Sequence, residues 1–216
     1  MVEHPQEISV DVVYADPPWK YPKGMGWKGG KRPGGNVCAY PCMTVEEMVA
    51  QHRPKTEPDA VCFMWTTGTM FDRALELLRG WGFVYVTVAF VWVKDRVTLS
   101  AYTLPQTEFV ILGKKGRSGS VLELFTSKVR QLVHPSTQPV GHSVKPDEVY
   151  ERIERMVQNN AERPLRKLEM YARRPRDGWI AFGNEIRRDA PGGSGESDGC
   201  APEGMAQDPA SDLDAP

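Results

Sequence analysis

Short apolar runs alternate with amphipathic stretches along the first 188 residues of the chain. The runs rich in β-branched residues predict strands at residues 8–15, 59–67, 84–94 and 107–115. Apolar residues recur at helical spacing in residues 68–82 and 143–157, so these segments are predicted helices, with Pro146 in the first turn of the second one. Residues 166–174 and 178–185 predict two more short strands, or a strand and a turn.

Strands that alternate with helices favour an α/β fold with a mostly parallel sheet flanked by helices. Functional sites of such sheets form outside the carboxyl ends of the strands. Asp16, Thr66 and Lys94 lie at or just after three predicted strand ends, so we expect them near one site.

The charge of the chain is divided unevenly between a body and a tail. Residues 189–216 carry seven acidic residues, no basic residue and many Gly, Pro and Ser residues, which predicts a disordered acidic tail. Removing these seven from the 28 acidic residues leaves 21 against 27 basic residues, a net charge of +6 for residues 1–188. The single predicted domain, residues 1–188, is therefore mildly basic, which is compatible with a nucleic-acid partner.

The sequence contains neither an apolar run of about 18 residues nor a secretion signal, so we expect a cytoplasmic protein without a membrane span. Its four cysteines form no CxxC pair, and its four histidines are not at ligand spacing from them. We therefore expect no metal and unpaired thiols.

The most distinctive motif is Asp16-Pro17-Pro18-Trp19, which directly follows the first predicted strand. Proline fixes φ, removes an amide donor and extends the preceding residue, so this loop is stiff and rich in acceptors. A carboxylate and a Pro17 carbonyl aimed at an aromatic amino group would stabilise that nitrogen as it becomes tetrahedral. Trp19 is expected to stack on or enclose the aromatic ring that carries this amino group.

Two basic segments are candidates for binding the phosphates of a nucleic acid. Gly24, Gly26 and Gly29 match a dinucleotide fingerprint, but the following residues cannot begin the helix that the fingerprint requires. We interpret residues 23–32 as a cationic flap, or alternatively as a solvated loop without a function. The candidate nucleic-acid contacts in the two segments are Lys23, Trp27, Lys28, Lys31, Arg32, Lys114, Lys115 and Arg117.

The chain resembles the adenine-specific methyltransferases built around DPPW. That family includes bacterial and phage DNA enzymes and the catalytic subunit of the eukaryotic messenger-RNA adenosine methyltransferase. The resemblance covers about residues 10–187 in eight ordered blocks. After DPPW these blocks are YPCMTVEEM, CFMWTTGTMFDRALELLRGWGF, VWVK, TEFVILGKKG, HSVKPDEVYERIE, RKLEMYARRPRDGW and FGNE.

The resemblance implies a Rossmann-like fold with permuted motif order, in which the catalytic loop precedes the cofactor-binding motifs. It also implies S-adenosylmethionine as the methyl donor and Asp16, Pro17, Pro18 and Trp19 as the catalytic loop. The implied cofactor-binding residues are Asp16 near the amino group, Lys145 at the carboxylate, His142 and Ser143 in the gating loop, Arg173 at the ribose, and Asn184 and Glu185 at the ribose hydroxyls. Lys145 also sits at the N-terminus of a predicted helix, where the helix dipole disfavours a cation, so its position suggests a function. Glu169 is expected to support the site.

The predicted function is methylation of the 6-amino group of adenine, in DNA in preference to RNA. A base inside a duplex is out of reach, so the target adenine is flipped out or single-stranded. Three alternatives stay open: the same chemistry on RNA, a non-catalytic nucleic-acid-binding partner subunit of the same fold, and methylation of a small molecule or protein amide. A homodimer and a complex with a partner subunit are both compatible with the sequence.

Overall fold

A computed structural model describes residues 5–21, 41–97, 102–134, 144–157, 164–183 and 186. The predicted acidic tail, residues 189–216, lies outside these ranges, and so does the cationic flap with Lys23, Trp27, Lys28, Lys31 and Arg32. The boundary at residue 188 therefore stays a prediction.

The described residues form a seven-stranded sheet in the order β5-β3-β4-β2-β1-β6-β7. Its strands are β1 (Val10–Ala15), β2 (Thr56–Thr67), β3 (Val84–Val93), β4 (Thr107–Lys115), β5 (Leu132–Val133), β6 (Lys167–Met170) and β7 (Ile180–Phe182). All of these strands except β4 run in one direction. The sheet confirms the predicted mostly parallel, Rossmann-like α/β architecture.

Four α-helices flank the sheet in the described ranges: α1 (Val45–Gln51), α2 (Phe71–Gly80), α3 (Ser118–Leu122) and α4 (Asp147–Met156). The helical periodicity predicts α2 and α4, whereas α1, α3 and β5 are not predicted. The start of α1 did carry a signal, because Thr44 and Glu47 form a capping box. Pro146 is the N-cap of α4 and not a first-turn residue, since its ψ of 134° is extended.

Both faces of the sheet are buried at β1, which explains the near-continuous apolar sequence of this strand. Val13 and Ala15 point into a core that includes residues of α1 and α2, whereas Val12 and Tyr14 point into a second core beneath α3 and α4. With both faces of β1 filled, the residues that follow Ala15 emerge at the edge of the sheet.

The reversed direction of β4 decides which of its ends lies at that edge. Thr67, at the carboxyl end of β2, pairs with Glu108 near the start of β4, whereas Ala60 pairs with Lys115 at its end. The start of β4 therefore lies beside the carboxyl ends of its neighbours, and its end lies at the opposite edge.

Cys62 is a free, buried thiol, whereas Cys42 is disulfide-bonded. The expectation of unpaired thiols therefore holds for Cys62 and is wrong for Cys42. Within the ranges that the structure describes, no helix has the length and apolar character needed to cross a membrane.

Candidate active site

The Asp16–Trp19 segment leaves β1 as a pinned loop. The Trp19 amide donates a hydrogen bond to the Pro17 carbonyl at 2.9 Å, and the Met43 amide donates to the Pro18 carbonyl at 2.8 Å. The Lys20 amide donates in turn to the Met43 carbonyl at 3.2 Å. Because these bonds join the loop to the segment before α1, the backbone around Asp16 is held on both sides.

Trp19 is a core residue, which differs from the expected stacking ring. Its side chain is buried among the residues of the first core, with 7% exposure. The indole Nε1 donates to the Trp65 carbonyl at 3.3 Å. The structure therefore gives Trp19 the role of an anchor for the catalytic loop, because a ring buried in this way has little surface left for a base.

Four charged side chains of alternating sign form a chain at the carboxyl edge of the sheet. Lys145 Nζ lies 3.0 Å from Asp16 Oδ2 and 3.5 Å from Glu108 Oε2. Lys94 Nζ lies 3.1 Å from Glu108 Oε1. Each of these four side chains is less than one quarter exposed. Asp16 and Lys94 therefore lie at the same edge of the sheet, as expected, and Lys145 lies there with them.

Burial controls the electrostatics of this chain. Desolvation raises the pKa of Asp16 above its ordinary value, and the charge of Lys145 opposes that rise. Desolvation lowers the pKa of Lys145, but the carboxylates of Asp16 and Glu108 more than compensate, so that this pKa is raised. Lys145 therefore keeps its proton at neutral pH, and its ammonium also lies 5.4 Å from the centre of the Trp65 ring.

Glu108 is a site residue that the sequence reasoning missed. It bridges Lys94 and Lys145, and it can do so only because β4 runs antiparallel to β2. An available signal was the segment of residues 94–106, which has no helical pattern, since a parallel crossover usually contains a helix. A direct antiparallel return would have placed the acidic start of β4 at the site.

The loop between β6 and β7 brings Arg173 towards the same edge. Arg173 is half-buried, and its positive charge lowers the pKa of Asp16. Glu169 on β6 is buried and accepts a hydrogen bond from the Tyr150 hydroxyl. Burial raises the pKa of Glu169. This placement agrees with the expected supporting role of Glu169, while His142, Ser143, Asn184 and Glu185 lie outside the described residues.

Gly183 immediately precedes the predicted ribose-binding pair, and its neighbours leave no room for a side chain. A Cβ at this position would lie 2.1 Å from the Ala172 carbonyl oxygen and 2.7 Å from the Ala172 amide nitrogen. The Ala172 amide also donates to the Phe182 carbonyl at 2.9 Å. Gly183 thus lets the chain after β7 pass close to the loop that carries Arg173.

The substitution Gly183→Ala is therefore expected to weaken cofactor binding and to lower the free energy of unfolding by about 1–3 kcal/mol, because backbone atoms must move apart. Isothermal titration with S-adenosylmethionine and thermal denaturation measure the two effects. Gly119→Ala is the matched control, since a Cβ there meets nothing within 4 Å. Equal behaviour of the two variants would contradict the prediction.

The structure does not bring Lys114, Lys115 and Arg117 to the catalytic loop. Lys115 pairs with Ala60 at the start of β2, seven residues before Thr67. At the usual rise per strand residue this is about 23 Å from the carboxyl edge. Lys114 donates to Ser118, Lys115 donates to Thr56, and the Arg117 amide donates to Asp59. These three residues therefore lie away from the Asp16 loop, and their contact with nucleic-acid phosphates stays a prediction.

Together, a mostly parallel seven-stranded sheet and, at its carboxyl edge, an Asp-Pro-Pro-Trp loop whose Asp16 pairs with Lys145 are features of a Rossmann-like methyltransferase. Residues 10–185 match the MT-A70 family. The chain belongs to this family of adenine methyltransferases, which confirms the family predicted from the ordered motifs.

Individual relatives agree with the family match. The chain is 36% identical to the type II methyltransferase M.MunI of a Mycoplasma species, over 81% of this chain and 77% of the relative. It is 27% identical to the N(6)-adenosine-methyltransferase MT-A70-like protein of Arabidopsis thaliana and 26% identical to the human N(6)-adenosine-methyltransferase catalytic subunit METTL3, over 81% of this chain in both cases. The matched regions are 23% and 28% of those two relatives, so the chain corresponds to about a quarter of their length.

Proposed function

We propose that this protein transfers a methyl group from S-adenosylmethionine to the 6-amino group of adenine in DNA. The observation that carries the proposal is the half-buried pair of Asp16 and Lys145, 3.0 Å apart, in which Asp16 belongs to a loop with acceptor carbonyls. Membership of the MT-A70 family and the similarity to a type II methyltransferase support the proposal.

The charges at the sheet edge fit the amino-acid end of the proposed cofactor. A zwitterion carries an ammonium and a carboxylate, and Asp16 and Lys145 offer the complementary charges at adjacent positions. Binding exchanges one ion pair for two, while Glu108 continues to neutralise Lys145 from its other side. When bound, S-adenosylmethionine supplies an electrophilic methyl group on a sulfonium.

The acceptor side of the reaction is served by the stiff loop. The lone pair of the adenine amino nitrogen is delocalised into the ring, so the nitrogen attacks only as it becomes tetrahedral. The Asp16 carboxylate and the Pro17 carbonyl accept hydrogen bonds from its two N–H groups, which stabilises the positive charge that develops during attack. The Pro17 oxygen already accepts from Trp19, and its second lone pair serves this purpose. As the N–CH3 bond formed, the bond between that methyl group and the sulfonium would break and leave its electron pair on sulfur, and one N–H proton would pass to Asp16 and then to solvent.

DNA is preferred over RNA as the substrate because the relative that matches over most of its own length is a type II methyltransferase. The RNA alternative has its support in the human relative, an N(6)-adenosine-methyltransferase catalytic subunit. In either substrate the adenine must leave its stack to reach Asp16, which lies in a half-buried position at the sheet edge. A partner subunit or second copy is compatible with both.

The test is incubation with tritiated S-adenosylmethionine and four substrates: single- and double-stranded DNA and single- and double-stranded RNA of the same sequence. Nucleoside analysis of the products identifies the methylated base. Label in N6-methyldeoxyadenosine supports the proposal, and label confined to N6-methyladenosine supports the RNA alternative. Label in another nucleoside, or none in any substrate, would overturn the proposed chemistry.

The acidic tail is proposed to be dispensable for this reaction. A chain that ends at Arg188 keeps every described element of the sheet. We therefore expect it to fold and to methylate at a rate close to that of the full chain. Circular dichroism and the tritium assay check this prediction, which fails if the shortened chain unfolds or loses activity.

A further inference from the structure

Two arginines and one aspartate join segments that each carry a proposed cofactor-binding residue. Arg174 Nη2 donates to Asp147 at 2.7 Å and 2.9 Å, and Arg176 Nη2 donates to the same carboxylate. Asp147 is the first residue of α4 and follows Lys145 by two positions. Arg174 is the neighbour of Arg173 in the loop between β6 and β7.

A second set of contacts fixes the arginine side of this junction. The Arg176 guanidinium lies 3.5 Å from the centre of the Tyr150 ring, and Tyr150 is on the second turn of α4 with Asp147 one turn earlier. The Tyr150 hydroxyl donates to Glu169 on β6, whose Oε2 lies 4.0 Å from Arg176 Nε. Arg176 is therefore held by α4 and β6 together, so its bond to Asp147 has a rigid base.

The charge state of Asp147 favours the junction at neutral pH. Partial desolvation raises the pKa of Asp147, but hydrogen bonds from Arg176 and Arg174 outweigh it and bring this pKa below its ordinary value. An acidic side chain in the first turn is also favourable for α4, whereas Lys145 just before the helix is not. Asp147 therefore adds a negative charge to the helix N-terminus next to Lys145, and it also pairs with two arginines of the loop between β6 and β7.

We propose that Asp147 is a positioning residue that sets the separation of Lys145 and Arg173, and thereby matches the two residues to one cofactor molecule. This inference rests on the proposed function, in which Lys145 meets the carboxylate and Arg173 meets the ribose of S-adenosylmethionine. Asp147 itself touches neither group. Its effect is to keep the loop between β6 and β7 against the start of α4.

An ordinary surface ion pair makes a different prediction from a positioning residue. The side chains of Asp147 and Arg174 are 56% and 61% exposed, and exposed pairs contribute little to folding stability. The Arg176 side chain is 22% exposed, but it keeps its contacts with Tyr150 and Glu169 when Asp147 is replaced. Loss of the pair should therefore leave the melting temperature nearly unchanged. A change in cofactor affinity without a change in stability would consequently identify the positioning role.

The experiment compares Asp147→Asn, Asp147→Glu and the full-length wild type. Isothermal titration measures the Kd of S-adenosylmethionine, and steady-state methylation measures its KM and kcat. In Asp147→Asn we expect Kd and KM to rise about tenfold with kcat within about twofold, since a small misplacement of one group is enough for such a loss. Asp147→Glu keeps the charge and is expected to restore most of the affinity.

Glu57→Gln is the matched control, because Glu57 pairs with Arg166 at the opposite edge of the sheet. Its Kd, KM and kcat should stay at wild-type values. An unchanged Kd in Asp147→Asn, a fall in kcat in place of a rise in KM, or an equal effect in Glu57→Gln would overturn the positioning role alone. Failure of the wild type to bind S-adenosylmethionine would overturn the proposed function and the positioning role with it.

Discussion

Asp16→Ala is expected to abolish methyl transfer while the protein stays folded. The substitution removes a preorganised acceptor from the attacking amino group, and loss of one such electrostatic contact typically lowers kcat by about 10²–10³-fold. Here the same carboxylate is also proposed to hold the cofactor's ammonium, so we expect a reduction at the upper end of this range or beyond it. Tritium transfer at saturating S-adenosylmethionine measures the effect.

The fold should survive Asp16→Ala because Lys145 keeps Glu108 as a partner at 3.5 Å. Burial raises the pKa of Asp16, so the ionised carboxylate is itself a cost to the folded state, and its removal need not destabilise the protein. Asp72→Ala serves as the control, since the Asp72 side chain is 78% exposed on α2. Full activity in the Asp16 variant would refute the proposed mechanism.

Lys145→Ala is expected to raise the Kd of S-adenosylmethionine strongly. Truncating one partner of a buried, hydrogen-bonded charge pair costs about 2–5 kcal/mol, because the remaining charge is left without its counter-ion. The loss corresponds to more than a tenfold weaker affinity. Unlike the Asp16 variant, this one should recover much of its kcat when the cofactor is saturating, because the acceptor loop is intact.

The same substitution has a measurable effect on stability. Without Lys145, Asp16 loses the ammonium that lies 3.0 Å from its carboxylate and stays near Glu108, which has the same sign of charge, so its pKa should rise further and the melting temperature should fall. Lys55→Ala is the control, because Lys55 is exposed near the opposite edge of the sheet. A wild-type Kd in Lys145→Ala would remove Lys145 from the cofactor site.

The periodicity of the sequence was sufficient for most of the architecture, because β1, β2 and β3 are apolar runs between clear turn signals. It was not sufficient for the direction of β4, since an apolar run looks the same from either end. Two placements follow from that single point. Because β4 runs against its neighbours, Glu108 lies at the site and Lys115 lies towards the opposite edge of the sheet.

The pattern of apolar and polar residues also did not predict which individual side chains of the loops are buried. Trp19 follows two prolines in a polar loop, a context that suggests an exposed ring, yet the ring is buried in the first core and its Nε1 donates to the Trp65 carbonyl. By contrast, the charged partners of the site were accessible to chemical reasoning. A lysine before a helix N-terminus is out of place electrostatically, and Lys145 indeed contacts two carboxylates.

The position of β1 in the sheet has a consequence for the order in which the protein is made. Asp11 on β1 accepts a hydrogen bond at 2.8 Å from the Arg166 amide, 155 residues away along the chain. β1 lies between β2 and β6, so the strand that carries Asp16 lacks one neighbour until residues 167–170 have been synthesised. Contacts of such long sequence separation form late, since their loop-closure entropy must be overcome first. β1 thus receives its second neighbour only after residues 167–170 have been synthesised, and a chain terminated between β2 and β6 leaves one side of the strand before Asp16 unpaired.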